Sequence, residues 1–121
     1  MPVRSLSSSV LKWPNKQLVD SAIRCWAEKV SKKRKDVQKI GYFGSYARGD
    51  WGVGSDLDIV VILDGSDKPM ERRAVDWDTT NLPVPSDLLI YTLDEWEKMR
   101  DAGRFCGTLM QEAIWIYERS G

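Results

Sequence analysis

Two aspartates near the middle of the chain, Asp56 and Asp58, have the type and spacing for metal-dependent phosphate chemistry. They stand at the start of an apolar run that ends at Leu63, and this run predicts a strand. Because alternate residues of a strand point to the same face, both carboxylates project together, about 7 Å apart along the strand. Two such carboxylates repel each other unless a cation lies between them. The pair is therefore predicted to bind metal.

A glycine-rich turn, residues 44–49, follows the apolar run from Ile40 to Phe43. Gly44 lets the backbone approach an oxyanion, the following turn directs N–H groups at it, and Ser45 adds a hydroxyl donor. Arg48 can clamp a phosphate as a forked donor, or it can form a surface salt bridge with Asp50. A phosphate-binding turn beside two acids indicates chemistry on a nucleotide.

Two other residues near this turn have open roles. Ser55 is predicted either to cap the loop before the aspartates or to contact a phosphate. Trp51 lies in a glycine-containing loop between the turn and the acids, and it is predicted to stack on a base or on a partner.

Several classes of phosphate or hydrolytic enzyme are excluded or disfavoured. Gly44 and Gly49 have the glycine spacing of a P-loop, but Asp50 and Trp51 stand where that motif requires Lys and Ser/Thr. The chain has no histidine, which excludes Ser-His-Asp and Cys-His catalysis and the usual zinc sites. Cys25 and Cys106 lack metal-type spacing, and both are predicted to be small buried residues.

Length and composition predict one globular domain. The chain has 121 residues, of which 42% are hydrophobic and 30% are charged. Residues 1–13 lack periodicity and are predicted to form a mobile arm, and residues 14–121 are predicted to form a single domain. No apolar run approaches the roughly 20 residues that cross a bilayer, and the N-terminus does not resemble a signal peptide. We expect a cytoplasmic protein without membrane contact.

Helical and strand patterns alternate along the chain and predict an α/β fold. An apolar stripe that includes Leu18, Val19, Ile23 and Trp26 predicts the first helix, and Thr92-Leu-Asp-Glu95 is a capping box that begins a later one. The predicted helices span residues 15–34, 69–79, 92–100 and 105–112, with one helical turn after Gly44, and the predicted strands span residues 37–43, 57–63, 86–91 and 113–117. The second strand is apolar on both faces, so we expect it at the centre of the sheet.

The third predicted strand supplies a further acid. Asp87 lies at its start, and a two-metal site needs several anionic oxygens from neighbouring strands. Asp87 is therefore the candidate third ligand, with a turn cap as the alternative.

Charge is unevenly distributed although the net charge is zero. Residues 1–40 contain ten Lys/Arg and three Asp/Glu, and residues 41–121 contain eight and fifteen. This asymmetry is typical of a solvated helix face, and it is also compatible with an acidic partner or with nucleic acid.

The motif between Gly44 and Ile59 resembles the signature of the minimal nucleotidyltransferases, small members of the DNA polymerase β-like superfamily. The residues that carry the resemblance are Gly44-Ser45, Ala47-Arg48-Gly49 and Ser55-Asp56-Leu57-Asp58-Ile59. The resemblance implies a polymerase β-like α/β (α+β) fold with a small mixed sheet flanked by helices. It also implies transfer of a nucleoside monophosphate, most simply AMP from ATP, with two Mg²⁺ ions. By the same resemblance Asp56 and Asp58 hold both ions, and Asp87 holds one and accepts the hydroxyl proton.

The resemblance also suggests a partner. Such proteins are often the antitoxins of HEPN-type toxins, and some adenylylate a tyrosine of the toxin, so a HEPN-type toxin is the expected partner and acceptor, in a homo- or hetero-oligomer. The alternatives are an antitoxin that masks its partner without catalysis and a small-molecule nucleotidyltransferase of the aminoglycoside-modifying kind. A weaker alternative is nucleic-acid binding through the basic first helix; nucleic acid is not expected as a direct substrate.

Overall fold

The computed structural model describes residues 14–102 and 112–119. A four-stranded mixed sheet lies at its centre, in the order β3-β2-β1-β4. The strands are β1 (Val37–Phe43), β2 (Leu57–Leu63), β3 (Ser86–Thr92) and β4 (Ile114–Glu118). The helices are α1 (Lys16–Lys33), α2 (Ser45–Arg48), α3 (Met70–Arg73), which continues into a 3₁₀ turn (Ala74–Asp76), and α4 (Leu93–Ala102). The predicted fold class, a small mixed sheet flanked by helices, is confirmed.

Some predicted elements cannot be compared with the structure. The predicted arm over residues 1–13 and Cys106 lie outside the described residues, as does the predicted helix over 105–112 except for its last residue.

The central strand is β2, which pairs antiparallel with β1 and parallel with β3. Its side chains enter two apolar clusters on opposite faces of the sheet. Ile59, Val61 and Leu63 pack on the side of α1, and Val60 and Ile62 pack with Trp96 of α4. A strand covered on both faces needs apolar residues at consecutive positions, which confirms the prediction from its sequence.

Helix α1 covers one face of the sheet with Val19, Ile23, Trp26 and Ala27. The Asn15 side chain caps its start by accepting a hydrogen bond from the Leu18 N–H at 2.8 Å. Two predictions for this helix are wrong, since Leu18 is 54% exposed and Cys25 is exposed. Both positions lie roughly 100° or more around the helix from its buried stripe.

The predicted helix over residues 69–79 is shorter in the structure. It ends as a 3₁₀ turn in which the Trp77 N–H donates to the Ala74 carbonyl at 3.1 Å. The following residue, Asp78, does not continue the helix, because the Trp26 indole N–H donates to its backbone carbonyl at 2.8 Å. This tertiary hydrogen bond draws the chain towards α1 and ends the helical pattern.

Among the residues that the structure describes, none of the helices combines the length and apolar character that crossing a membrane requires.

Candidate active site

The sheet brings the three predicted acids to one edge. In the parallel register of β2 and β3, Asp58 lies directly beside Asp87. Neighbouring strands are about 4.8 Å apart, so the two side chains start close together. Asp56 stands immediately before β2, and β1 ends at the same edge because Phe43 pairs with Asp58. The edge where β2 and β3 begin is therefore an acidic cluster.

Gly44 follows β1 directly and lies against this cluster. Its φ of +79° is in the region that favours glycine. A Cβ atom at this position would overlap Oδ2 of Asp58. Both the backbone conformation and the contact therefore require glycine at position 44.

Residues 45–48 form the single turn of α2, which begins after Gly44. The Arg48 N–H donates to the Gly44 carbonyl at 2.9 Å, and the Gly49 N–H donates to the Ser45 carbonyl at 2.9 Å. The first N–H groups of a helix have no carbonyl acceptor within it. Ser45 thus stands where backbone and hydroxyl donors can meet a phosphate beside the acids.

Tyr46 belongs to this turn, and its fully buried side chain anchors the turn to the core. The hydroxyl group of Tyr46 donates to the Pro14 carbonyl at 2.8 Å, which links the turn to the start of α1. The rings of Tyr46 and Trp51 stack with centroids 5.7 Å apart and planes 6° apart. Trp51 thus uses one face to pack inside the protein, a contact that the sequence did not reveal.

Arg48 forms ion pairs with two carboxylates. Its Nε is 3.1 Å from Asp50 Oδ2, and its Nη1 is 3.3 Å from Glu112 Oε2. The hydrogen bond with Asp50 is the largest of the effects that raise the pKa of Arg48. The salt bridge that the sequence offered as the alternative role of Arg48 is formed, and a phosphate clamp would require Arg48 to exchange these partners. Glu112 lies 64 residues further along the chain, and no local sequence signal identified it.

Ser55 closes the loop that precedes the aspartates. Its Oγ accepts a hydrogen bond from the Gly52 N–H at 2.7 Å, and its own N–H donates to the Gly52 carbonyl at 3.0 Å. Of the two roles open for Ser55, the structure shows the loop cap.

The electrostatics of Asp58 reflect its position in the cluster. Burial raises the pKa of Asp58, and the negative charges of Asp87 and Asp56 raise it further, while Arg48 opposes these effects. The two other acids therefore act on Asp58 as like charges at short range. A bound cation would remove this repulsion.

The donor set suits Mg²⁺, a hard cation that prefers carboxylate oxygens. Asp56, Asp58 and Asp87 are the residues that would hold it. Within residues 14–102 and 112–119, no three His, Cys, Asp or Glu side chains form a ready metal-binding group. The assignment of Mg²⁺ to this site therefore rests on the chemical type of the three side chains and on their position at one edge of the sheet.

Solved structures share the fold of the chain. A Sulfolobus solfataricus protein provisionally described as a nucleotidyltransferase has a TM-score of 0.63 and 18% sequence identity, over 86% of this chain and 84% of that chain. A toxin–antitoxin structure with AMP-PNP has a TM-score of 0.50 and 19% identity, over 80% of this chain and 74% of that chain. None of the curated proteins compared with the chain matches it significantly.

A family model described as a nucleotidyltransferase domain matches residues 23–116. The matched segment runs from α1 to β4, and it includes the Gly44 turn and all three acids of the cluster. Because this segment is well over half of the chain, the protein belongs to the nucleotidyltransferase domain family.

Proposed function

We propose that this protein transfers AMP from ATP to a hydroxyl group of a protein partner in a Mg²⁺-dependent reaction. The observation that carries the proposal is the register that places Asp58 beside Asp87, with Asp56 next to them and the Gly44 backbone against Asp58. In a member of the nucleotidyltransferase domain family, this arrangement supports phosphoryl chemistry at the edge where β2 and β3 begin.

The three acids have separate roles in this proposal. Two Mg²⁺ ions, when bound, would neutralise the charge on the phosphate oxygens and on the leaving pyrophosphate. Asp56 and Asp58 would hold both ions, and Asp87 would hold one. Asp87 would also accept the proton of the attacking hydroxyl. The hydroxyl oxygen forms a bond to the α-phosphorus while the bond from that phosphorus to the pyrophosphate oxygen breaks.

The turn after β1 would hold the phosphates. The glycine at position 44 allows a close approach of the backbone, and Ser45 adds N–H and hydroxyl donors. Arg48 would bind the β- or γ-phosphate after leaving Asp50 and Glu112. Gly44, Ser45 and Arg48 belong to a single turn that lies beside the acids. They can therefore hold the triphosphate while the acids face the α-phosphorus.

We propose a HEPN-type toxin as the partner and acceptor. The support is the shared fold with a toxin–antitoxin structure that contains AMP-PNP. AMP-PNP is an ATP analogue, which makes ATP the natural donor to test first.

The test is transfer of label from ATP labelled at the α-phosphate. The protein is incubated with Mg²⁺ and with the product of the adjacent reading frame. We expect AMP to label the partner, and the Asp56→Asn/Asp58→Asn double variant to leave it unlabelled. Asp94→Asn is the matched control, since Asp94 is exposed on α4 and pairs only with Lys98 among the described residues. An unlabelled partner with the unmodified protein would contradict the proposal.

The same double variant separates catalysis from masking in cells. The masking alternative is compatible with the ion pairs of Arg48, which engage the side chain proposed as the phosphate clamp. If the double variant still protects cells from the partner, masking is the function; loss of protection with a folded variant supports catalysis.

A further inference from the structure

A groove lies between the C-terminal half of α1 and residues 77–81, and it shares no residue with the acidic cluster. Its volume is about 250 Å³, close to the lower end of the roughly 300–1,000 Å³ that is typical of small-molecule sites. Its lining contains two tryptophans, three cations, one carboxylate and one amide: Trp26, Trp77, Lys29, Lys33, Arg34, Asp78 and Asn81.

The aromatic part of the groove is a platform fixed by packing. The rings of Trp26 and Trp77 lie 6.0 Å apart at 41°, and the guanidinium group of Arg34 lies 4.8 Å from the centre of the Trp77 ring. A planar guanidinium over an aromatic ring can itself carry another flat ring. Trp26 is only 6% exposed, so it supports Trp77 from within the protein, and Trp77 with Arg34 forms the surface on which a nucleobase can stack.

Two lysines on α1 give the groove its positive charge. Lys29 and Lys33 are both exposed, and neither forms an ion pair with any described residue. They stand four residues apart, so they lie on the same side of the helix. An ammonium group binds phosphate as a point charge, and two of them at the mouth of the groove suit a phosphate group.

The polar groups opposite the lysines decide between an acidic peptide and a nucleotide. The Oδ1 atom of Asp78 accepts from the N–H of Thr80 at 2.9 Å and from its hydroxyl at 2.6 Å, which fixes the carboxylate. No described residue donates to the second oxygen. This carboxylate can accept hydrogen bonds from the hydroxyl groups of a ribose, which the acidic side chains of a peptide do not offer. The Asn81 amide carries both a donor and an acceptor, as the edge of a base requires.

From this lining we infer that the groove between α1 and residues 77–81 is a second nucleotide site, which binds a nucleoside phosphate through base, ribose and phosphate. The ligand is either a free nucleotide or the phosphorylated end of an RNA, since both present the same three groups.

Calorimetric titration with AMP in EDTA tests this site separately from the acidic cluster. The protein carries Asp58→Asn, so that a failed proposed function leaves the result unaffected. We expect saturable binding of one AMP per chain. The Lys29→Glu/Lys33→Glu double variant should weaken it about 10-fold or more, because each charge-assisted contact contributes on the order of a factor of ten.

The matched control is Lys98→Glu/Arg100→Glu, which reverses two exposed charges on α4 and should leave AMP binding unchanged. An RNA octamer with a 5′-phosphate forms the second arm. If it binds more tightly than AMP and the same lysine variant weakens both, the ligand is an RNA end; comparable binding indicates a free nucleotide. The proposal is overturned if the lysine variant binds AMP as well as its parent, if no AMP binding occurs, or if inorganic phosphate competes as well as AMP does.

Discussion

The backbone of Gly44 lies against the carboxylate of Asp58, so closely that a Cβ atom at position 44 would overlap Oδ2. Gly44 directly follows β1, and Asp58 is the second residue of β2. The contact therefore joins the proposed phosphate turn to the proposed metal ligands, and it makes the two parts of the site dependent on each other.

The first prediction concerns this contact. Gly44→Ala adds a Cβ that displaces the Asp58 carboxylate, and it places alanine at a positive φ. We expect AMP transfer to fall about 100-fold, as is typical when a reacting group moves by about 1 Å, and stability to fall by about 1–3 kcal/mol. Gly52→Ala is the control, since a Cβ there meets no atom within 4 Å. Equal transfer rates for the two variants would contradict the role of the contact.

The second prediction concerns the charge of Asp58. Its folded-state pKa is raised by burial and by its acidic neighbours, so its ionised form destabilises the folded chain above that pKa, and this penalty is absent below the ordinary value of 3.8. Asp58→Asn removes the penalty. In EDTA at pH 7 we expect a higher Tm for the variant than for the unmodified protein, and the difference should vanish below pH 3.8.

Mg²⁺ should reverse this order of stability. A cation that binds the folded state raises Tm by mass action, and only the unmodified protein retains the full set of carboxylates. The same substitution should lower AMP transfer about 1,000-fold, since metal ions contribute several kcal/mol of transition-state stabilisation. Thermal melts with and without Mg²⁺ check the order of stability, and transfer of label from ATP measures the loss of activity. Equal Mg²⁺-induced shifts for the two proteins would rule out Asp58 as a ligand.

The third prediction concerns Arg48. If Arg48 exchanges its carboxylate partners for a phosphate, Arg48→Ala should raise the KM for ATP about 10-fold, the effect of losing one charge-assisted contact. Glu112→Gln removes one competing partner and keeps the side-chain shape, so it should leave KM unchanged or lower it. Steady-state kinetics at varied ATP concentration measure both. An unchanged KM in Arg48→Ala would show that Arg48 serves only as a surface ion pair.

The fourth prediction concerns an ion pair that holds α4 against the sheet. Arg73 is 6% exposed and forms two hydrogen bonds with Glu95, at 2.6 and 3.0 Å. These bonds are the main reason that the pKa of Glu95 falls from 4.5 to about 2. We expect Glu95→Gln to lower the free energy of unfolding at pH 7 by about 2 kcal/mol, a value reduced for the partial exposure of Glu95.

The pH dependence of this effect has a defined sign. Because the pKa of Glu95 is lowered by folding, its contribution is complete above pH 4.5 and is lost as the pH falls towards about 2. Urea denaturation at several pH values should show the difference between Glu95→Gln and the unmodified protein shrinking across this window. Asp94→Asn, which breaks an exposed pair, should change stability by less than about 0.5 kcal/mol. A pH-independent difference would contradict the ion-pair explanation.

Much of this protein could be predicted from its sequence because the signals are local. Strand β2 is apolar at consecutive positions, which predicted a doubly covered central strand. The capping box of Thr92 and Glu95 predicted the start of α4, and both of its hydrogen bonds are present, at 3.0 and 3.2 Å. The glycine turn and the spacing of Asp56 and Asp58 identified the candidate site because a turn conformation and the face of a strand depend on adjacent residues.

The tertiary structure alone determined the contacts between residues that are distant along the chain. The register that sets Asp87 beside Asp58 depends on how β2 and β3 pair. The partnership of Arg48 with Glu112 depends on where the chain enters β4. The bond from Trp26 to the Asp78 carbonyl, which ends the helical pattern after Asp76, joins residues 52 positions apart. A sequence specifies local conformation through neighbouring side chains, whereas these contacts exist only once the whole sheet has packed.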